Sequence, residues 1–251
     1  MKKNRALYEY FISEYEKPFT GWDFSHVHGR LTEDTLPWDY GAMVRALLSD
    51  APTLLDMGTG GGEFLASLSP LPPHTWATEG YAPNIPVARE RLTPLGVTVV
   101  PVESDDRLPF PGETFTHIIN KHESYDADEV CRILKPGGIF LTQQVGGEND
   151  NDINRALGAP LLKYVDWDLV HAVEALERAG FTIIDQREQH YQSYFHDSGA
   201  LLYYLKAIPW QVEDFTVDKY YDRLADIHRR IEKEGAFPVG CHRFLVKAVK
   251  E

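Results

Sequence analysis

The feature that most constrains the fold is a glycine run that directly follows an apolar stretch. The stretch 53–57 leads into glycines at alternate positions, Gly58, Gly60 and Gly62. Glycine reaches backbone conformations that a Cβ forbids, and it lets a chain pass close to a bulky ligand. A helical pattern begins at Glu63, and the free N–H groups of that helix would face the same ligand. The segment therefore predicts a strand, a ligand-binding turn and a helix.

From this segment onward, short apolar runs alternate with helical patterns, which is typical of βαβ units and a parallel sheet. The predicted strands are 53–57, 75–78, 98–102, 116–120, 139–145, 182–185 and a last one at 242–249. The predicted helices between them are 63–68, 84–95, 126–134 and 169–179. A chain of 251 residues with this pattern suits one α/β domain.

Helical patterns flank this alternation on both sides. An amphipathic helix is predicted near the N-terminus, then a loop over 16–36 and a second helix from Pro37 to about Asp50. Two more helices are predicted at 198–208 and 218–234. We therefore divide the single domain into an N-terminal helical cap, 1–50, a core, 51–190 and 240–251, and a helical lid insertion, 191–239.

Charge and cysteine content narrow the classes of function. The chain has 25 basic and 38 acidic residues, a net charge of −13, which disfavours DNA or another polyanion as partner. We expect no membrane partner and a cytoplasmic protein, because no signal-peptide core or membrane-length apolar stretch is visible. Cys131 and Cys241 offer neither a disulfide framework nor zinc spacing. His26 and His28 lack further recognisable ligands, so no metal is expected and all histidines are predicted to be unliganded.

The glycine spacing distinguishes between two ligand classes. A dinucleotide-binding turn has the pattern Gly-x-Gly-x-x-Gly, and Glu63 stands where its last glycine belongs. The observed pattern is Gly-x-Gly-x-Gly, with Asp56 two residues before the first glycine. This spacing favours S-adenosylmethionine (SAM) over a dinucleotide.

At this point the sequence resembles the class I SAM-dependent methyltransferase superfamily, especially its small-molecule branch with a type 11 methyltransferase domain. The resemblance covers about 53–145 and rests on motifs in the expected order: Leu54–Glu63, Glu79, Leu108–His117 and Ile133–Phe140. It implies a Rossmann-like, seven-stranded sheet that is mostly parallel with an antiparallel last strand. It also implies SAM as the cofactor and S-adenosylhomocysteine (SAH) as its product.

The resemblance further implies roles for single residues. The glycine loop would hold the methionine moiety, and an acid after the second strand would bind both ribose hydroxyls, as a carboxylate can. An acidic or polar residue of 104–106 would contact the adenine amino group; Asp106 is an alternative to Ser104 and Asp105, because Glu103-Ser-Asp-Asp106 departs from the usual Gly-Asp-Ala. The predicted cofactor-binding residues are Asp56, Gly58, Thr59, Gly60, Gly62, Glu79, Gly80, Ser104, Asp105 and Asn120.

Ligands of open α/β sheets bind beyond the carboxyl ends of the strands. This places Asn120, His122 and Glu123, with Gln143 and Gln144, near the transferred methyl group. His122 is the predicted base or acceptor contact, with Glu123 as its orienter; the alternative is that both cap the helix 126–134.

The sequence thus predicts a SAM-dependent methyltransferase (EC 2.1.1.-) that transfers the methyl group in line to a small-molecule acceptor. The alternatives are an RNA or protein methyltransferase, an NAD-type oxidoreductase, or a relative that binds the cofactor without catalysis.

Overall fold

The computed structural model describes residues 3–49 and 51–251, so the outer limits of the predicted cap, Met1 and Asp50, lie outside the described residues. The strands are β1 Leu31–Glu33, β2 Thr53–Met57, β3 His74–Glu79, β4 Thr98–Pro101, β5 Phe115–Lys121, β6 Leu134–Val145, β7 Phe181–Phe195 and β8 Phe237–Lys250. The α-helices are α1 Arg5–Tyr15, α2 Tyr40–Leu48, α3 Glu63–Ser67, α4 Asn84–Leu92, α5 Ala127–Ile133, α6 Asn151–Leu157, α7 Leu169–Arg178, α8 Ser198–Ala207 and α9 Val217–Glu234. No helix among these residues has the length and apolar character needed to cross a membrane.

Within the described residues, the strands form one eight-stranded sheet in the order β1-β7-β8-β6-β5-β2-β3-β4. The five strands from β6 to β4 are parallel, and β8 is antiparallel to both β6 and β7. The predicted α/β fold with an antiparallel last strand is therefore confirmed, but the predicted number of seven strands is wrong. The extra strand, β1, lies in the segment predicted as a loop. Its three residues are too few to show alternation, and they are extended because they pair with β7.

Neighbouring residues of the central strands are buried on opposite faces of the sheet, as the period of two requires. Leu54 and Ile119 face the side covered by α2, α3 and α4. Leu55 and Ile118 face the side covered by α5 and α7. Both faces are therefore covered, which explains why these strands are almost continuously apolar.

The last two strands extend well beyond the apolar runs that predict them. β7 was predicted only at 182–185, because residues 185–190 are all polar. The structure extends β7 to Phe195, which pairs with Phe237 at the start of β8. Backbone hydrogen bonds to β8, rather than buried side chains, hold the polar part of β7 in place. Since Arg243 pairs with Val145, the last residue of β6, both strands continue past the carboxyl end of β6.

A layer of helices packs around this projecting pair of strands. The helices predicted at 198–208 and 218–234 are present as α8 and α9, and they pack with α1 and α6 around Phe11, Leu202 and Leu224. Val239, from the projecting part of β8, belongs to the same apolar cluster. The helical layer therefore lies beyond the carboxyl edge of the sheet, where parallel sheets bind ligands.

Candidate functional site

The glycine loop between β2 and α3 requires its glycines. Gly58, Gly60 and Gly62 have φ values of +68°, +61° and +81°, a region that side chains disfavour. The loop is held against β3, because the Thr59 N–H donates to the carbonyl oxygen of Thr78 at 2.9 Å. The sequence-predicted turn thus lies at the carboxyl end of β2, in the middle of the sheet.

Glu63 does more than replace a fingerprint glycine. Its carboxylate forms an ion pair with Arg91 of α4, and a Cβ at Gly61 would collide with it. A negative charge therefore already occupies the first turn of α3, a helix of only five residues. A pyrophosphate would have to compete with this ion pair for the N-terminus of α3.

A cavity of about 220 Å³ opens beside this loop. Among the predicted cofactor residues, Gly58, Gly80, Ser104 and Asp105 line it, whereas Asp106 lines a different cavity next to Arg107. The structure therefore places Ser104 and Asp105, rather than Asp106, beside the glycine loop. The full lining is Gly58, Thr78, Gly80, Val102, Glu103, Ser104, Asp105 and Glu123.

Carboxylates surround the cavity and the loop, among them Asp56, Glu79, Asp105 and Glu123. Asp56 is only 3% exposed, and burial raises its pKa to about 7. Glu79 is 5% exposed and accepts a hydrogen bond from the Tyr81 N–H at 2.6 Å; burial raises its pKa as well. Burial, together with Asp105 and Glu79, raises the pKa of Glu123 to about 7. The region is therefore suited to a ligand that brings positive charge.

Asn120 lies at the centre of a buried polar network. Its Oδ1 accepts hydrogen bonds from Gln144 Nε2 at 2.7 Å and from Thr142 Oγ1 at 3.2 Å. Its Nδ2 is buried and has no partner among the described residues. Buried donors without partners are rare in folded proteins, so this amide fits a contact to a bound molecule.

His122 has a fixed tautomer. The indole N–H of Trp38 donates to Gln143 Oε1 at 2.8 Å, and because an indole can only donate, this contact orients the amide. Gln143 Nε2 then faces His122 Nε2 at 2.9 Å and donates to it, which leaves the imidazole proton on Nδ1. Burial, and then the positive charges of Arg243 and Lys121, hold the pKa of His122 well below its ordinary value. The ring is neutral and offers an N–H donor.

Glu123 does not orient the ring of His122, contrary to the prediction from the sequence. Its side chain packs on Gly58, where a Cβ would collide with it, and the partner of the His122 ring is Gln143. Neither His122 nor Glu123 caps α5, because Asp126 is the N-cap and accepts from the Glu129 N–H at 2.8 Å.

Several contacts within the site were not predicted from the sequence. Trp38 orients Gln143, and Lys121 places its Nζ 4.8 Å from the ring centroid of Phe64. Trp22 lies beside Gly60 and is stacked on Trp210 with a centroid distance of 6.4 Å. No local pattern predicts these contacts, since each joins distant parts of the chain.

The described residues contain one group of side chains with metal-ligand chemistry. Glu148, His190 and His242 bring their ligand atoms within 4.8 Å of one another. The two imidazoles are stacked, with centroids 4.1 Å apart and planes at 19°, so their in-plane lone pairs do not converge. His26 instead contacts Glu14 at 3.3 Å. We assign no metal to either place.

Comparison with known proteins supports the domain inferred from the motifs. Residues 55–142 match the family described as "Methyltransferase domain". The comparison with curated proteins gives no match. The resemblance to class I methyltransferases is confirmed for this segment.

Solved structures share the fold over most of the chain. A candidate methyltransferase from Bacillus halodurans C-125 is 20% identical with a TM-score of 0.60, over 84% of this chain and 98% of that one. A protein of unknown function from Deinococcus radiodurans R1 is 14% identical with a TM-score of 0.57, over 98% of both chains. A geranyl diphosphate methyltransferase solved with SAM is 15% identical with a TM-score of 0.50, over 84% of this chain and 85% of that one.

Proposed function

We propose that this protein is a SAM-dependent methyltransferase that acts on a small-molecule acceptor by in-line methyl transfer. The observation that carries the proposal is the group of four carboxylates, Asp56, Glu79, Asp105 and Glu123, around a glycine loop in a methyltransferase domain. Burial raises the pKa of Asp56, Glu79 and Glu123, and repulsion between carboxylates adds to this for Asp56 and Glu123. A cationic ligand would stabilise the ionised form of these groups.

The charge of the site distinguishes SAM from a dinucleotide. SAM carries an ammonium and a sulfonium beside one carboxylate, so its net charge is positive at neutral pH. The pyrophosphate of NAD is negative and would lie among carboxylates, next to the ion-paired Glu63. The NAD-type oxidoreductase is therefore disfavoured on electrostatic grounds as well as by glycine spacing.

The residues near the cavity fit the parts of the cofactor. In our proposal Glu79 and Gly80 bind the ribose, and Ser104 and Asp105 bind the adenine. The glycine loop, with Asp56 and Thr59, holds the amino-acid portion, and Asn120 adds its free Nδ2. When bound, SAM supplies a methyl group that is already activated by the sulfonium.

The remaining task of the protein is to align the acceptor and exclude water. His122 cannot accept a proton at Nε2 while Gln143 donates to that atom. We therefore propose that His122 orients the acceptor through its Nδ1–H. Glu123 is the better candidate for a base, since its pKa of about 7 suits proton transfer near neutral pH.

The helical layer and the N-terminal segment support a small acceptor. Trp22 and Trp210, from opposite ends of the chain, stack beside the glycine loop, and Trp38 covers Gln143. We propose that the N-terminal cap and the α8–α9 lid together enclose the acceptor, which leaves little room for an RNA or a folded protein. The cytoplasmic location and the lack of a DNA partner stay predictions.

Calorimetric titration with SAM, SAH and NADH tests the proposal. We expect both SAM and SAH to bind and NADH to give no heat of binding. A Glu79→Gln variant should bind SAM and SAH more weakly to the same extent, because both ligands carry the ribose. Binding of NADH without binding of SAM or SAH would overturn the proposal.

A further inference from the structure

Arg243 is a buried cation near the proposed acceptor position. It lies on β8, opposite Val145 at the carboxyl end of β6, and is 8% exposed. By the alternation of the strand it faces the same side of the sheet as Leu245, which packs in one cluster with Trp38 and Tyr40. This is the side covered by the N-terminal segment.

The hydrogen bonds of Arg243 engage only one of its nitrogens. Nη1 donates to Asn149 Oδ1 and to the carbonyl oxygen of His242. Nε and Nη2 donate to none of the described residues. Neither atom is fully buried, because neither is among the fully buried polar atoms that lack a partner. The Nε–Nη2 edge of the guanidinium therefore has no partner among the described residues and is not completely closed off from solvent.

No carboxylate in the described part of the chain forms an ion pair with Arg243. The nearby acid Asp150 is buried, but its Oδ2 accepts from Asn149 Nδ2 at 2.7 Å and from the Tyr204 hydroxyl at 2.9 Å. A buried cation without a directly paired anion is costly, and a guanidinium edge matches an oxyanion with two parallel hydrogen bonds.

The surroundings favour an anion on the acceptor side. Lys121, on β5, is a second cation without an ion pair among the described residues, and its charge acts together with that of Arg243 on His122. The ring centroid of Tyr191 lies 5.8 Å from Arg243 Cζ and flanks the guanidinium. The acids Asp150 and Glu33 also lie in this region, but neither forms an ion pair with Arg243 or Lys121 among the described residues.

We propose that the methyl acceptor carries an oxyanion, a carboxylate or a phosphate, that binds the Nε–Nη2 edge of Arg243. The inference rests on the proposed function, because it assigns Arg243 to the acceptor of that same reaction. Arg243 would hold one end of the acceptor, while the end to be methylated lies near His122. A planar guanidinium suits this role better than an ammonium would.

The first test uses the full chain saturated with SAH and titrated with acetate or inorganic phosphate, against chloride at equal ionic strength. We expect one of the two anions to raise the melting temperature above the chloride control, and the more effective one identifies the carboxylate or the phosphate. Arg243→Gln, which can keep the bond to Asn149, should abolish the rise. Arg178→Gln, the same change at an exposed position on α7, should leave it intact.

The second test is a screen of acceptors with labelled SAM. We expect anionic acceptors to be methylated, with the acceptor KM raised at least tenfold by Arg243→Gln and the KM for SAM unchanged. For Arg243→Lys, which keeps the charge, we expect an acceptor KM between those of the wild-type protein and Arg243→Gln. This variant also tests the inference if Arg243→Gln does not fold. The inference is overturned if neither anion raises the melting temperature above the chloride control, or if the rise persists in both Arg243 variants. Failure of SAH to bind would instead refute the proposed function.

Discussion

In the proposed function, Glu123 leads to a prediction about the relative affinities of SAM and SAH. The carboxyl group has a pKa of about 7 in the ligand-free protein, against an ordinary value of 4.5. SAM and SAH differ chiefly in the sulfonium charge, which stabilises only the ionised form of Glu123. We therefore expect the preference for SAM over SAH to increase as pH rises through 7.

The size of the effect follows from the dimensions of the site. A cavity of about 220 Å³ is roughly 7–8 Å across, so a sulfonium held there lies within about 7 Å of Glu123. With an effective dielectric constant of about 20–40, the attraction is about 1–2 kcal/mol. This corresponds to a drop of about one pH unit in the pKa of Glu123 on SAM binding, or about tenfold in relative affinity.

The assay is calorimetric titration of SAM and SAH between about pH 5.5 and 8.5. In the wild-type protein the ratio of the two affinities should rise about tenfold in favour of SAM. Glu123→Gln should largely flatten the ratio, while Glu90→Gln, at an exposed position of α4, should keep it. A flat ratio in the wild-type protein, or an unchanged slope in Glu123→Gln, would refute the reasoning.

Other parts of the site lead to further predictions. Gly58→Ala should lower the free energy of unfolding by at least about 1–2 kcal/mol and abolish SAH binding, because residue 58 has a positive φ and a Cβ there would collide with Glu123. Urea unfolding and calorimetry would measure the two effects, and a fully stable variant would contradict the geometry. Glu79→Gln should weaken SAH by about 1.5–3 kcal/mol, as expected for hydrogen bonds to a charged group, whereas an unchanged Kd would remove Glu79 from the ribose site. Trp38→Phe should release the amide of Gln143, so that the ¹⁵N spectrum of His122 no longer shows a single Nδ1–H tautomer; a spectrum like that of the wild type would argue against the relay. The buried carboxylates near the cavity have raised pKa values and bind protons more tightly in the folded state, so the ligand-free protein should lose stability as pH rises through about 7; urea midpoints that rise over this range would contradict the assigned direction.

The glycine turn could be predicted because its signals are local. The apolar stretch of β2, the glycines at alternate positions and the start of α3 lie within about ten residues, and each is required by the backbone geometry of the turn. The position of Glu79 at the end of β3 was predictable in the same way, because the apolar run of that strand ends there.

The strand count and the extent of β7 were not predictable from local patterns. β1 has three residues, and the second half of β7 is polar, so neither shows an apolar period. Both are extended because a neighbouring strand supplies backbone hydrogen bonds, and that neighbour is distant in the sequence.

The acceptor side depends on tertiary structure in the same way. The contact of Trp38 with Gln143 joins residues 105 positions apart, and Arg243 reaches the site only because β8 lies next to β6. The sequence by itself determined the class of fold and the glycine turn, since these follow from backbone rules within short segments. Strand order and register, which only the folded chain defines, decided which side chains meet across the strands. They thereby decided the tautomer of His122, the place of Glu123 and the free edge of Arg243.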